Sequence, residues 1–216
     1  MTLDEAQAAP RPLRRDARRN RELLLAAARE VFAERGLNAP LDEVARRAGV
    51  SIGTLYNRFP HRVDLVDAAL ADRVLASARL AERALADPDP WHGLVEHLTA
   101  IAELQVADRG FTDICVYTLP TGSVTERAKR RGSELTVALV ERAQAVGALR
   151  GDVDITDIGL LMWAVVRATE GVREAAPTAW RRHFALLLDG LRAGSAHPLP
   201  GRPMDPATVR DAMSFG

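Results

Sequence analysis

Apolar residues recur at helical spacing along nearly the whole chain, and prolines and glycines divide this pattern into segments. The first segment runs from about Asp16 to Arg35 and ends before Gly36, a residue suited to stopping a helix. One face of this segment is formed by Leu24, Ala28, Val31 and Phe32. No segment alternates apolar and polar residues as a half-buried strand does, so the pattern predicts an all-α protein.

About nine helices are expected in total. After the first, they run from about Pro40 to Ala48, Ile52 to Phe59, Arg62 to Ala86, Trp91 to Val106, Phe111 to Leu119, Ser123 to Val146, Ile155 to Glu174 and Thr178 to Ala193. The first three form a small unit at residues 14–61, and the others form a larger bundle at residues 62–193. Residues 1–13 are predicted to be a disordered basic, proline-containing arm, and residues 194–216 a Pro/Gly-rich tail.

Residues 41–59 combine a helix, a tight turn and a second short helix. Gly49 tolerates the left-handed conformation of such a turn, and Ser51 is a good N-cap for the helix that follows. Ala45 lets the two helices approach, while Val50 fills the gap beneath them. This arrangement is typical of a helix-turn-helix, in which the second helix enters the major groove of DNA.

The distribution of charge supports a nucleic-acid partner. The chain has equal numbers of basic and acidic residues, 29 of each, yet residues 1–62 contain 12 Arg and 8 acidic residues. A basic first third favours DNA binding. The single cysteine, Cys115, cannot form an internal disulfide, and no apolar run approaches the roughly 20 residues that span a bilayer. We therefore expect a soluble cytoplasmic protein, associated with the nucleoid, that does not contact a membrane.

The run GVSIGTLYNRFPHRVDL, residues 49–65, resembles the turn, recognition helix and connecting helix of the TetR family of repressors. The preceding AAREVFAERG, residues 27–36, is similar to the first helix of that family. The resemblance implies an N-terminal DNA-binding domain followed by a helical domain that dimerises and holds an effector. It implies a double-stranded DNA operator, a second copy of the chain and an unidentified small molecule as partners.

The same resemblance assigns the DNA contacts, and the chemistry of each position fits. Gly53 lets the helix backbone approach DNA, Tyr56 can bond a phosphate or base, and Asn57 can pair with adenine. The predicted contacts are Ser51, Ile52, Gly53, Thr54, Tyr56, Asn57, Arg58, Arg62, Arg14 and Arg15. Leu55 and Phe59 are expected to anchor the helix to the core instead. Two alternatives stay open: Tyr56 is a half-buried core residue, and Arg62 and the N-terminal arginines are only solvated charges.

One position departs from the family pattern. Family members often open the second helix with threonines that cap it and touch phosphate, whereas this chain has Ala39, Pro40 and Leu41 there. The resemblance therefore does not carry that phosphate contact over to this chain, and Asn38 is only a candidate to replace it.

The bundle carries two further sets of candidate residues. The dimer interface is predicted at Ile158, Met162, Val165, Phe184, Leu187, Leu188 and Leu191, on the last two helices, which would form a four-helix interface with their symmetry mates. The effector pocket is predicted at Trp91, His97, Ile101, Cys115, Tyr117, Leu135, Leu139 and Trp163. For both sets the alternative is that these residues only fill the core of one subunit.

These features predict a ligand-responsive transcriptional regulator. A repressor that binds a palindromic operator as a homodimer is favoured, and an activator of the same fold or a DNA-packaging protein without effector are the alternatives. A helical enzyme is disfavoured because the five His and one Cys form no catalytic constellation. Neither a metal nor a cofactor is expected. The operator, the regulated genes, the effector and the sign of control cannot be read from the sequence.

Overall fold

A computed structural model describes residues 11–194, 197–205 and 207–209, except for the side chains of residues 11–14. Within these ranges the chain forms helices joined by short loops. The helices are α1 (Arg11–Arg35), α2 (Leu41–Arg47), α3 (Ile52–Arg58), α4 (Arg62–Leu85), α5 (Pro90–Ala107), α6 (Arg109–Val116), α7 (Val124–Ala145), α8 (Ile155–Glu170) and α9 (Ala179–Leu191). Residues 207–209 are also helical. The predicted all-α fold, with a helix-turn-helix and a bundle, is confirmed.

The helix boundaries differ most from those predicted at α1, α6 and α8, and α6 ends at Val116, not Leu119. Helix α1 begins at Arg11, not Asp16, so residues 11–13 are helical although we predicted them to be disordered. Proline is tolerated in the first turn of a helix, where its missing N–H has no helical acceptor. Helix α6 begins earlier than predicted because the Asp108 carboxylate accepts the backbone N–H of Phe111 at 2.9 Å. Helix α8 ends at Glu170, where Gly171 forms the C-cap.

The DNA-binding unit does not have a separate core. One cluster of buried apolar side chains starts in α1, α2 and α3 and continues into α4 and α6, through Phe111 and Ile114. A second cluster joins α4, α5, α7, α8 and α9, and Ile101 on α5 packs against both clusters. The two units are therefore held together by continuous apolar packing, which couples their positions.

Helix α6 lies directly against the end of α1. A Cβ atom on Gly110 would lie 3.0 Å from both the Cβ and the carbonyl oxygen of Phe32, so only glycine allows this approach. The Asp113 carboxylate accepts the backbone N–H of Leu37 at 2.8 Å, next to Gly36, whose φ is +80°. Arg73 of α4 pairs with buried Asp108 at 2.9 Å. The first two contacts fix the DNA-binding unit to the bundle, and the Arg73–Asp108 pair holds the start of α6 within the bundle.

The described part of the C-terminal tail lies against the loop between α7 and α8. The Leu199 N–H donates to Asp152 at 2.9 Å, and Arg150 donates to the His197 carbonyl at 2.6 Å. Thr156 then donates to the Met204 carbonyl at 3.1 Å. Residues 197–205 contain no helix, as their prolines predict. Among the helices described, none is long and apolar enough to cross a membrane.

Candidate nucleic-acid interface

The turn between α2 and α3 has the geometry that a helix-turn-helix requires. Gly49 adopts a φ of +69°, a conformation that other residues rarely reach. The Val50 N–H donates to the Ala45 carbonyl at 3.0 Å, which closes the turn against the end of α2. The Ser51 hydroxyl then accepts the Thr54 N–H at 3.1 Å and caps α3, as predicted.

One side of α3 is anchored in the core. Leu55 and Phe59 are buried, which confirms the prediction that this pair is structural. Arg21 of α1 lies over the Phe59 ring, 5.8 Å from its centroid. The N-terminal half of α1 therefore braces the C-terminal end of α3.

The opposite side of α3 faces away from the protein. Tyr56 is 49% exposed and Ile52 36% exposed, so Tyr56 is not a buried core residue. The exposed residues on this face and at its edges are Ser51, Ile52, Gly53, Tyr56, Asn57 and Arg58, with Thr54 half-buried between them. Arg58 has no ion-pair partner within the described ranges. The exposed face thus presents hydroxyl, amide and guanidinium groups, which suit phosphates and base edges.

Gly53 has no packing role in the protein itself. A Cβ atom there would meet only the Ser51 hydroxyl oxygen, at 3.8 Å, and Gly53 has no positive φ. An alanine would fit without strain and would favour the helix by about 0.5–1 kcal/mol. Neither packing nor backbone conformation within the described residues therefore explains the glycine, which lies on the exposed side of α3.

Arg62 has a structural contact that the sequence did not indicate. Its guanidinium donates to the carbonyls of Leu37 and Ala39, both at 2.7 Å, and so satisfies the turn between α1 and α2. It is half-buried, so it is not simply a solvated charge. A single nitrogen of the guanidinium makes both bonds, so these bonds do not decide whether Arg62 also contacts a phosphate. The phosphate contact predicted for Arg62 stays a prediction.

The remaining predicted contacts lie on the flanks. Arg15 is exposed on α1, whereas the Arg14 side chain lies outside the described residues. Pro40 occupies the N-cap of α2 with no side-chain cap, as the missing threonines indicate. Nearby, Arg47 forms a bidentate pair with Glu34 at 2.6 and 2.9 Å, and this hydrogen bonding holds the pKa of Glu34 below its usual value. Part of the basic charge of this unit is thus neutralised internally.

The eight residues predicted for the effector pocket do not all lie together. Leu135 and Leu139 are buried in the second cluster with Trp91 packed against it, while Tyr117 packs against the first cluster. Trp163 is half-buried on α8 under Arg167. Cys115 is exposed as a residue, but its thiol donates to the Phe111 carbonyl at 3.2 Å, and desolvation by the protein around the thiol raises its pKa. The pocket as a whole stays a prediction.

His97 is the most distinctive of these eight residues. Burial lowers the pKa of His97 to about 4, so its imidazole is neutral at pH 7. The Thr136 hydroxyl donates to the Gly132 carbonyl at 2.9 Å and therefore accepts from His97 Nε2 at 3.0 Å. The remaining nitrogen, Nδ1, is a buried acceptor with no partner within the described part of the chain. It could accept a hydrogen bond from a ligand that enters the bundle.

The predicted dimer residues require a correction. Ile158, Met162, Phe184 and Leu191 are buried within one subunit, so they belong to its core and are not available to a partner. Val165, Leu187 and Leu188 are half-buried and pack against the second cluster, and for these three residues the dimer interface stays a prediction. The exposed apolar residues are instead Leu161 on α8, Leu186 on α9 and Val172 just beyond α8.

The residues that join the two units were not predicted from the sequence. Gly110 and Asp113 are central to this contact, but neither belongs to a motif. The only local signal for this contact in the sequence is Gly110, two residues after Asp108, which is a potential N-cap. In the described ranges, no group of His, Cys, Asp and Glu side chains is arranged to hold a metal ion.

Family models match both units of the chain. The model of bacterial regulatory proteins of the tetR family matches residues 24–69, and the C-terminal domain model of SbtR-like transcriptional regulators matches residues 89–193. The crystal structure of a TetR transcriptional regulator from Streptomyces coelicolor is 30% identical, with a TM-score of 0.52, over 80% of this chain and 98% of that chain.

Two curated relatives show the same likeness in sequence. The transcriptional repressor BepR of Brucella suis is 29% identical over 169 residues, which cover 70% of this chain and 78% of BepR. The transcriptional activator FasR of Mycolicibacterium smegmatis is 43% identical over 79 residues, 35% of each chain. These relatives are regulators and not enzymes.

Proposed function

The chain belongs to the TetR family of bacterial regulatory proteins, and we propose that it represses transcription by binding a palindromic operator as a homodimer until a small effector releases it. The exposed face of α3 is the observation that carries this proposal. It combines Gly53, which has no packing role, with Tyr56, Asn57 and Arg58, which have hydrogen-bonding groups in solvent. A close approach of DNA to this face accounts for both.

A dimer is proposed because one seven-residue helix contacts too few bases for specific binding. Two copies read half-sites about 34–36 Å apart, on successive turns of the duplex. The exposed apolar side chains of α8 and α9 support this assembly. Leu161 and Leu186 are 42% and 63% exposed, although each lies on a helix whose other side is buried.

Release by an effector is proposed to act through α6. This helix contains Cys115, whose Sγ lies 3.7 Å from the Gln105 amide nitrogen of α5, and Asp113, which holds the backbone of Leu37. A molecule that displaces α6 would therefore move the end of α1 and the helix-turn-helix with it. A coupling free energy of about 1–3 kcal/mol would change operator affinity about 5–150-fold.

Mapping the genomic DNA bound by the full-length protein tests the function. We expect a small number of sites with two-fold symmetry, and a fluorescence anisotropy titration with one such site at fixed salt should give a specific, saturable complex. Uniform coating of DNA without sequence preference would contradict the proposal and favour a packaging role.

Charged substitutions test the dimer surface. Leu161→Glu combined with Leu186→Glu is expected to give monomers in sedimentation velocity and to weaken operator binding, because two charges would be buried without partners. The matched control is Val146→Glu, since Val146 is 61% exposed at the C-cap of α7. A double variant that remains dimeric would place the interface elsewhere.

Activation is the second candidate function. It is favoured by one observation, the 43% identity to the activator FasR over 79 residues. A reporter gene behind a mapped site distinguishes the two signs of control. Higher expression after deletion of the regulator supports repression, and lower expression supports activation.

A further inference from the structure

Four arginines line a cleft where the DNA-binding unit meets the bundle. The cleft has a volume of about 360 Å³ and lies between the end of α1, helix α6 and the end of α8. Its charged residues are Arg35, Arg109, Arg167, Arg173, Asp113 and Glu170. The formal charge of this lining is positive, and the volume lies within the range of small-molecule sites, about 300–1,000 Å³.

Arg35 of the cleft pairs with buried Glu43 of α2 at 2.8 Å, whereas the acidic residues of the cleft itself do not neutralise the other three arginines. Glu170 is shared by two of them, Arg109 at 2.7 Å and Arg167 at 2.9 Å. Arg173 has no ion-pair partner among the residues that the structure describes. Asp113 is engaged with the backbone of Leu37. The cleft therefore keeps positive charge that an anion could bind.

Gln105 provides a second, independent observation. This residue lines the cleft and is only 7% exposed. Its amide nitrogen lies 3.7 Å from Cys115 Sγ, whereas its amide oxygen is buried without a hydrogen-bond partner in the described ranges. A buried acceptor of this kind is unfavourable unless a donor reaches it. A ligand with an O–H or N–H group would supply that donor.

We propose that this cleft binds a small organic anion that carries two or more carboxylate or phosphate charges and one hydrogen-bond donor. Such an anion would touch Arg35 of the DNA-binding unit and Arg109 and Arg173 of the bundle side, and so hold the two units together. The site adjoins the pocket predicted inside the bundle: none of those eight residues lines the cleft, but Gln105 contacts Cys115, which is one of them.

The cleft is also separate from the DNA-binding face. Arg21, which lies over Phe59 at the end of α3, and Arg35 are 14 residues apart on α1. At a rise of about 1.5 Å per residue, this separation is about 21 Å along the helix. The arginines of the cleft are therefore assigned to a small anion and not to the phosphates contacted by α3.

Isothermal titration calorimetry with the full chain tests this site, using citrate, tricarballylate and inorganic phosphate at an ionic strength fixed with KCl. Citrate and tricarballylate both carry three carboxylates, but only citrate has a hydroxyl group. We expect saturable binding of citrate at one site per subunit, with weaker binding of tricarballylate. Arg173→Gln should weaken citrate binding about tenfold, because one charge-assisted hydrogen bond is lost.

The matched control is Arg79→Gln, which removes the same charge from an exposed position on α4. Citrate binding that this variant retains and Arg173→Gln loses supports the site. If Arg173→Gln does not fold, as judged by circular dichroism, Arg109→Gln replaces it. Equal affinities in the wild type and the cleft variant would overturn the proposal, as would heats of binding that vanish at matched ionic strength.

Discussion

Helices α3 and α6 have nearly the same length, seven and eight residues, but they use their side chains in opposite ways. Helix α3 buries Leu55 and leaves Tyr56 and Asn57 in solvent. Helix α6 is enclosed between α1, α4 and α5, with Gly110, Phe111 and Ile114 buried. In the proposed function α3 acts on a partner outside the chain, whereas the contacts of α6 lie inside it. Substitutions in the two helices should therefore separate DNA binding from stability.

The largest effect is expected from Tyr56→Ala combined with Asn57→Ala. Each base contact contributes about 1–3 kcal/mol, so losing both in each half-site should weaken specific binding at least about 100-fold. Both side chains are exposed, so the thermal midpoint should remain within about 2 °C of the wild type. Fluorescence anisotropy with a mapped site and differential scanning calorimetry measure the two quantities.

A milder variant serves as the control for this pair. Tyr56→Phe keeps the ring and removes only the hydroxyl, and we expect an intermediate loss of affinity. Retained affinity in the double variant would show that α3 is not the recognition helix.

The second-largest effect is expected from His97, which is buried in the bundle, and it is measured as the pH dependence of the free energy of unfolding. The pKa of His97 in the folded protein is about 4, below the 6.5 of a free histidine. The unfolded chain therefore binds a proton that the folded chain excludes, and stability falls as the pH drops from about 6.5 to 4. The full difference is about 3 kcal/mol. Urea unfolding between pH 7.5 and 4 measures it.

Carboxylates also titrate at the acidic end of this range, so a reference variant is needed. His97→Gln keeps a hydrogen bond to Thr136 within reach but removes the titration. The wild type should lose more stability than this variant over the same pH range. Parallel pH profiles would mean that His97 is not buried as described.

The third effect is the loss of close packing between α6 and α1. Gly110→Ala places a methyl group 3.0 Å from the Cβ and carbonyl oxygen of Phe32, and the backbone cannot yield easily. Overpacking of this kind lowers the free energy of unfolding by about 1–3 kcal/mol. We expect this loss in urea unfolding, and any fall in operator affinity at temperatures where the variant is fully folded should be smaller than that of the α3 double variant. An unchanged free energy of unfolding would mean that α6 and α1 are less closely packed.

The sequence was informative where structure depends on neighbours along the chain. The Ser51 cap, the Gly49 turn and the burial of Leu55 and Phe59 all involve residues within one or two helical turns, and the structure has each of them. The exposed face of α3 follows from the same periodicity.

Contacts between distant segments could not be predicted in this way. A charge at the start of α4 is visible in the sequence, but its acceptors, the carbonyls of Leu37 and Ala39, come together only in the folded chain. Helical periodicity likewise identified Phe184 and Ile158 as apolar, yet it cannot distinguish packing within a subunit from packing between subunits. Both residues lie inside one subunit.

The smallest effect, and the most direct test of the comparison, is Gly53→Ala. The structure has room for the methyl group, whose nearest neighbour is the Ser51 hydroxyl at 3.8 Å. Alanine restricts the unfolded chain, so the free energy of unfolding should rise by about 0.4–1 kcal/mol. Operator affinity should nevertheless fall, because the methyl group stands between the helix backbone and DNA.

Gly132→Ala in α7 is the matched control, since its Cβ also has room, 3.9 Å from that of Ala78. This variant should stabilise the protein without affecting DNA binding. If Gly53→Ala binds the operator as tightly as the wild type, the backbone of α3 does not approach DNA closely, and the glycine needs another explanation.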